Sequence, residues 1–257
     1  MKMIAISDLH MDAVTMGQSR LHEVAAVLRK AMHHAIREKV DLFLCTGDVC
    51  DPDSGPVVLR IARELVDVAM SLAQARIRSA WVCGNHDVAG DGWTTSLDPL
   101  MGLELHDLPH ATPWVRVFSE APGSMSFADG WRLVGLPYPT KSSGWGSSHE
   151  PLAKMRCSGE KLVVAGHLSI EGVVPGEEAG ELARGRDVFW PTAEVDAMKP
   201  EIKLNGHYHR RHVTKGGIQI VGSAVALTFG EKREKGEEPG YLYIESGPRG
   251  ALLRGRA

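Results

Sequence analysis

The chain has 257 residues, 43% hydrophobic and 24% charged, with Gly 28 and Pro 14; this is the composition of an ordinary globular protein and excludes disordered and fibrous classes. Lys and Arg number 29 against 32 Asp and Glu, a formal net charge of −3, which excludes a global positive field for nucleic acid and confines any such binding to local charge or metal ions. The unusual component is 12 histidines.

Met3 to Ile6 reads as a strand that stops before Asp8, too short an apolar run for an export signal. Leu21, Val24, Ala25, Leu28, Ala31, Met32, Ala35 and Ile36 follow helical spacing, with Ser19 as N-cap. Leu42 to Cys45 reads as a buried strand, Pro56 opens a second helix to about Ala75, and Ala80 to Cys83 is a third strand. This β-α-β-α-β order predicts parallel strands. From Gly90 to Ala121 the texture changes to long loops around a short strand at Trp114 to Phe118. Short strands recur at Trp131 to Val134, Leu162 to Ala165, Ile202 to Leu204, Ile218 to Val221 and Tyr241 to Ile244, with a helix around Pro191 to Met198. Pro139 to Gly146 and Glu231 to Pro239 read as surface loops too short for domain linkers, and a single domain over residues 1–257 is expected. The longest near-apolar stretch, Ile220 to Phe229, is far below the ~20 residues of a membrane span. Cys45, Cys50, Cys83 and Cys157 form no CxxC pair, so reduced thiols and a cytoplasmic location are expected.

Five polar clusters each follow an apolar strand run: Asp8-Leu9-His10, Gly47-Asp48, Gly84-Asn85-His86-Asp87, Gly166-His167 and Gly206-His207-Tyr208-His209. That placement puts their side chains at strand ends, where open α/β sheets form ligand sites. Singly, a Gly-Asp is usually a turn and a buried His a structural group; their order carries the weight. The i, i+2 spacing of Asp8 with His10 and of His207 with His209 turns both side chains to one face in extended chain. A donor set of Asp, Asn and His without Cys suits first-row divalent ions better than Ca or a thiolate zinc site. Two such ions need a shared anionic ligand, for which Asp48 is the best candidate, and their charge would attract a phosphate and yield a bridging hydroxide as nucleophile.

In this order the five clusters resemble the calcineurin-like metallophosphoesterase superfamily, whose pattern runs D-x-H, G-D, G-N-H-D/E, G-H and G-H-x-H; the match spans Asp8 to His209. The resemblance implies an α/β four-layer α-β-β-α sandwich with two mixed β-sheets; the nuclease branch of the superfamily adds a capping domain beyond this core, for which the length leaves no room, so no separate capping domain is expected. It implies one metal on Asp8, His10, Asp48 and His209 and a second on Asp48, Asn85, His167 and His207. It further implies His86 beside the scissile phosphate, with Asp87 orienting its ring. Mn is the first choice of metal, with Fe, Zn, Co or Ni as others. The flanks Gly166 to Gly172, Gly206 to Arg210, Val221 to Ala224, Leu227 to Glu231 and Lys235-Gly236 look like the SbcD-type nuclease branch, although Asp51 stands where that branch commonly has His. A DNA nuclease is therefore expected, with Arg210, Arg211, His212, Lys215, Lys232, Arg233 and Lys235 available to track a nucleic-acid backbone. The alternatives are a phosphodiesterase for cyclic nucleotides or other small phosphoesters and a non-catalytic metal-bound scaffold. The branch also suggests a homodimer and an SbcC-type ATPase partner, without a membrane. Trp93, Trp114 and Trp145 could stack bases or pack internally, Cys45 and Cys83 read as small core residues, His33 and His34 as exposed, and Asp51 and Asp53 as turn formers around Pro52.

Overall fold

Strand alternation sets the layering. In the computed structural model, Ile4 and Ile6 of the first strand join one apolar cluster while Met3 and Ala5 join another, so this strand is covered on both faces. The structure describes residues 1–103, 113–140, 152, 154, 155, 158–173, 188–227, 238–247 and 250–256. In chain order these form β1 (Lys2–Ile6), β2 (Val14–Thr15), β3 (Gln18–Ser19), α1 (Leu21–Glu38), β4 (Leu42–Cys45), α2 (Val57–Gln74), β5 (Arg78–Val82), α3 (Asp98–Met101), β6 (Val115–Phe118), β7 (Gly123–Ala128) and β8 (Trp131–Leu136). They continue with β9 (Lys161–Gly166), α4 (Thr192–Ala197), β10 (Ile202–Asn205), β11 (Gln219–Ile220), β12 (Tyr241–Gly247) and β13 (Gly250–Arg256).

One sheet of six strands runs β13-β12-β1-β4-β5-β6 and a second of five runs β11-β10-β9-β8-β7. Both are mixed: β1, β4, β5 and β6 are parallel with β12 antiparallel beside β1, and β8 to β11 are parallel with β7 antiparallel beside β8. Three apolar clusters define four layers. The first joins α1 and α2 to β1, β4 and β5 through Leu28, Leu65, Phe43 and Trp81. The second lies between the sheets, where Leu42 and Val82 meet Phe127, Leu133, Val163 and Leu204. The third joins the outer face of the second sheet to α4 through Leu136, Val164, Val195 and Met198. This is the expected α-β-β-α sandwich.

The helices start close to where the sequence puts them. α1 is capped by Arg20 rather than Ser19, although the Ser19 hydroxyl still accepts the Leu21 N–H at 3.3 Å; α2 follows Pro56 as expected. Four features were not expected: the β2–β3 hairpin, α3, β7 and β13. In β7 Met125 and Phe127 point into the inter-sheet core, with Ala128 packed beside them; the alternation covers only Ser124 to Phe127 before the register shifts, too short to read as a strand. His34, expected to be exposed, is buried: its Nδ1 lies 3.1 Å from the Tyr241 hydroxyl and its ring stacks on Tyr243, because β12 packs beside β1 under α1. Cys45, Cys50 and Cys83 are buried thiols, and burial pushes each of them up from the usual thiol pKa. Among the described residues, no helix is long and apolar enough to cross a membrane. Thr228 to Glu231, Lys232, Arg233, Lys235-Gly236, Lys141 to Gly146 with Trp145, and Cys157 lie outside the described residues.

Candidate metal centre

All five polar clusters sit where parallel strands end. Asp8 and His10 follow β1, Asp48 follows β4, Asn85 and His86 follow β5, His167 follows β9, and His207 and His209 follow β10. The first three strands belong to one sheet and the last two to the other. Asp8, His10, Asp48 and His207 all take positive φ, between 42° and 73°. Backbone in this region costs of order 1–3 kcal/mol per non-glycine residue and clusters at functional sites. Here it is held in place by Asp8 N–H donating to the Gly47 carbonyl and His10 N–H to the Asp48 carbonyl, both at 3.0 Å.

Asp48 is the hub. Its Oδ1 accepts the His86 backbone N–H at 2.9 Å, while its Oδ2 stands 3.0 Å from His167 Nε2 and 3.6 Å from His10 Nε2. Neither ring nitrogen is aligned with it for a hydrogen bond. Donor atoms of Asp8, His10 and His209, of His10, Asp48 and His86, and of Asp8, Asp48 and His167 each fall within 4.8 Å of one another and could hold a metal ion. Asn85 Oδ1 and His207 Nδ1 approach to 3.0 Å beside them. His86 lies within this group, its ring centroid 4.9 Å from that of His10.

The donors fit a divalent cation on an independent physical ground. His167 Nδ1 lies 2.6 Å from the Thr46 carbonyl, which can only accept, so Nδ1 carries the hydrogen. A neutral ring then aims its Nε2 lone pair at the Asp48 carboxylate inside a fully buried site, and only a proton or a cation between them resolves that repulsion. Asp8 Oδ2 and His10 Nε2 are further buried atoms without a hydrogen-bond partner. Oxygen and nitrogen donors without thiolate suit first-row divalent ions.

The pKa shifts follow the same geometry. Burial acts to lower His167, but the adjacent Asp48 carboxylate outweighs it and raises the ring to about 9. Burial acts to raise Asp48, but the charge and close contact of His167 outweigh it and hold Asp48 well below the usual carboxylate range. Burial pushes Asp8 up against the pull of His167 and His209, and pushes His10 down to about 3 and His207, with help from His167, down to about 4.

The Asp87 carboxylate binds backbone: its Oδ1 accepts from Val49 N–H, Cys50 N–H and the Ser96 hydroxyl, and its Oδ2 from Asp48 N–H and Gly84 N–H, at 2.6 to 3.3 Å. It fastens the Asp48 turn to the Asn85–Asp87 turn. The motif glycines are steric requirements: a Cβ on Gly84 would collide with the Asp48 carboxylate, on Gly47 with the His167 ring, and on Gly206 with Ser7, Thr46 and His167. Gly47 also needs its φ of 101°.

Several positioning residues escaped sequence reasoning. Asn205, fully buried, accepts the Leu168 N–H at 3.1 Å and donates to the Leu168 and Gly206 carbonyls at 2.8 Å, clamping the His167 and His207 turns together. The Ser169 hydroxyl meets His207 Nε2 at 3.2 Å, leaving Nδ1 to face Asn85. Gly222-Ser223, legible only as a mark of lineage, has a structural purpose: Ser223 N–H and hydroxyl both donate to the His209 carbonyl, and Ser223 bridges to Ser7 across the sheets. The one available signal was a polar residue ending each apolar strand run. Arg211 corrects an expectation, since it is buried, donates to the Val221 carbonyl at 3.0 Å and packs against Gly255 instead of facing solvent. Arg210 and Lys215 are exposed and His212 half-buried. Asp51 accepts the Asp53 N–H at 2.8 Å, the turn expected around Pro52.

A model of the family described as calcineurin-like phosphoesterase matches residues 1–211. A probable cyclic nucleotide phosphodiesterase of a Synechococcus strain is 33% identical over 87 residues, 34% of this chain; that stretch spans only 32% of the relative's own length. In fold, the chain is similar to a dimetal phosphatase from Danio rerio (TM-score 0.56, 14% identity, covering 100% of this chain and 99% of that one). It is also similar to a purple acid phosphatase from yellow lupin seeds (TM-score 0.55, 12% identity, covering 95% and 48%).

Proposed function

The chain belongs to the calcineurin-like phosphoesterase family, and from that premise we propose that it is a two-metal phosphodiesterase acting on nucleotide phosphodiesters, with small or cyclic nucleotides as the first substrate class. The observation that carries this reading is Asp48 Oδ2 facing both His167 Nε2 and His10 Nε2, at 3.0 and 3.6 Å, between the two sets of donors. Asp8, His10, Asp48 and His209 would hold one ion and Asp48, Asn85, His167 and His207 the other. Divalent ions bound there supply charge stabilisation for the phosphoryl oxygens and make water nucleophilic at neutral pH.

The remaining work falls to the chain. Asp87 and Asn205 fix the turns that present the donors. The Thr46 carbonyl holds His167 in the tautomer that directs Nε2 inward, and the Ser169 hydroxyl orients the His207 ring through Nε2, with Nδ1 towards Asn85. His86, tied through its backbone N–H to Asp48 and with its half-buried ring beside His10, is placed to donate a proton to the departing alkoxide. Support for small nucleotides comes from the stretch shared with the probable cyclic nucleotide phosphodiesterase and from the burial of Arg211, which withdraws a cation from any nucleic-acid track.

A second reading, a DNA nuclease of the SbcD type, is supported by exposed Arg210 immediately after His209 and by exposed Lys215. One assay series with Mn decides: a cyclic nucleotide, a chromogenic diester, single-stranded DNA and linear duplex DNA. Turnover of the first two alone supports the small-substrate reading, and turnover of DNA supports the nuclease. Metal binding without any turnover refutes both and leaves a scaffold. His86→Ala should keep metal affinity while kcat falls by roughly 10²–10⁴; a variant as fast as the parent refutes the role of His86.

A further inference from the structure

The hairpin after His86 presents an indole that the reaction above does not use. Among the described residues, Trp81, Trp131 and Trp190 are buried and Trp114 is half-buried beneath Arg78, whereas Trp93 is 64% exposed. Exposure alone would mean little, but here the backbone is locked to display the ring. Val88 pairs with Thr95, the Ala89 carbonyl accepts the Gly92 N–H at 2.8 Å, and Asp91 Oδ1 accepts the N–H groups of Trp93 and Thr94 at 2.7 and 2.9 Å.

Both ends of this hairpin are anchored to the segment from Asp48 to Asp53. At the root, Asp87 accepts the backbone N–H groups of Asp48 and Val49 as well as the Ser96 hydroxyl. At the tip, Gly90 N–H donates to Asp53 Oδ2 at 2.7 Å. The backbone that carries Trp93 is therefore tied to the segment that carries Asp48. Three residue rises separate the tip from Asp87, or about 10 Å, a span that the body of a nucleotide can bridge from its phosphate to its base.

We propose that Trp93 is a stacking platform for the nucleobase of a phosphodiester bound at the metal centre, and so selects nucleotide esters over base-free ones. The selection deepens the phosphodiesterase reading and, for turnover, rests on it. An indole face suits this task because every base has a π-face and stacking is worth a useful increment whatever the sequence.

The test pairs two substrates with one leaving group, thymidine 5′-p-nitrophenyl phosphate and methyl p-nitrophenyl phosphate, assayed with Mn. Trp93→Ala should lower the ratio of their kcat/KM values about tenfold, within the range expected for stacking one base, and Trp93→Phe should restore most of it. A second readout needs no turnover: AMP added to the Mn-loaded parent should quench indole fluorescence, and the change should vanish in Trp93→Phe. An unchanged substrate ratio, or a quench that survives in Trp93→Phe, overturns the proposal. So does loss of self-association in Trp93→Ala by sedimentation, which would make the indole a contact between copies. A parent that hydrolyses neither ester sinks the phosphodiesterase reading, while the quench still decides about Trp93.

Discussion

Asn205→Asp is the sharpest perturbation of the scaffold that holds the site. The substitution is nearly isosteric and keeps the oxygen that accepts the Leu168 N–H, but it exchanges the amide donor for an acceptor facing the Leu168 and Gly206 carbonyls, each 2.8 Å away. Two buried carbonyls lose their donor at a position with no solvent exposure. Each such loss costs about 1–3 kcal/mol, so the pair amounts to about 4 kcal/mol, with the new carboxylate's repulsion pushing upward. For a domain of this size that corresponds to a fall in Tm of about 8–16 °C. Urea unfolding of the metal-free protein, followed by tryptophan fluorescence, measures the difference directly. Because Asn205 joins the two turns bearing His167 and His207, metal affinity should weaken as well. A variant that unfolds within about 0.5 kcal/mol of the parent would refute the clamp.

Metal affinity should depend on pH through His167. Its pKa of about 9 means the ring is protonated at neutral pH without a cation, so binding must expel that proton; affinity should rise about tenfold per pH unit from 6.5 to 8.5 and level off above 9. Calorimetry in buffers of different ionisation enthalpy should find about one proton released at pH 7 by the ion that takes His167, one for the pair of ions, and a flat profile would contradict the assignment. Gly47→Ala should abolish metal binding at the Asp48–His167 pair, because the added methyl collides with the His167 ring and the φ of 101° is strained for alanine; retained stoichiometry in a metal titration would show that the turn can adjust.

The five clusters were legible because their chemistry is written at strand ends, and apolar runs such as Leu42 to Cys45 mark those ends without long-range information. The α1 and α2 faces were legible for the same local reason. What escaped depends on partners far along the chain. Asp87 sits next to His86, yet its carboxylate serves residues 48 to 50. Asn205 reads as the last residue of a strand and acts on Leu168 across two turns. Arg211 reads as one more cation in a basic run until β13, itself unrecognised because its glycines blur the alternation, closes over it. Gly222-Ser223 has no local logic at all; its meaning is the His209 carbonyl that Ser223 holds.

The division of donors between two sheets explains why the centre is over-determined. His167 from the second sheet reaches the Thr46 carbonyl of the first, His207 N–H donates to Asp8 Oδ1 at 3.0 Å in the same sense, and Ser7 pairs with Ser223 at the same seam. Between the sheets, the apolar cluster of Leu42, Val82, Phe127, Leu133, Val163 and Leu204 is built without any of the donors. The sheets are packed together without the donors, and the seam holds positive-φ backbone at Asp8, His10, Asp48 and His207 that no local preference would select. A cation binding this arrangement meets donors already in place, so its binding energy adds to stability by mass action, about 2.7 kcal/mol at a hundredfold excess over Kd. The ion needs the fold, because the packed sheets bring Asp8 and His209 to one point.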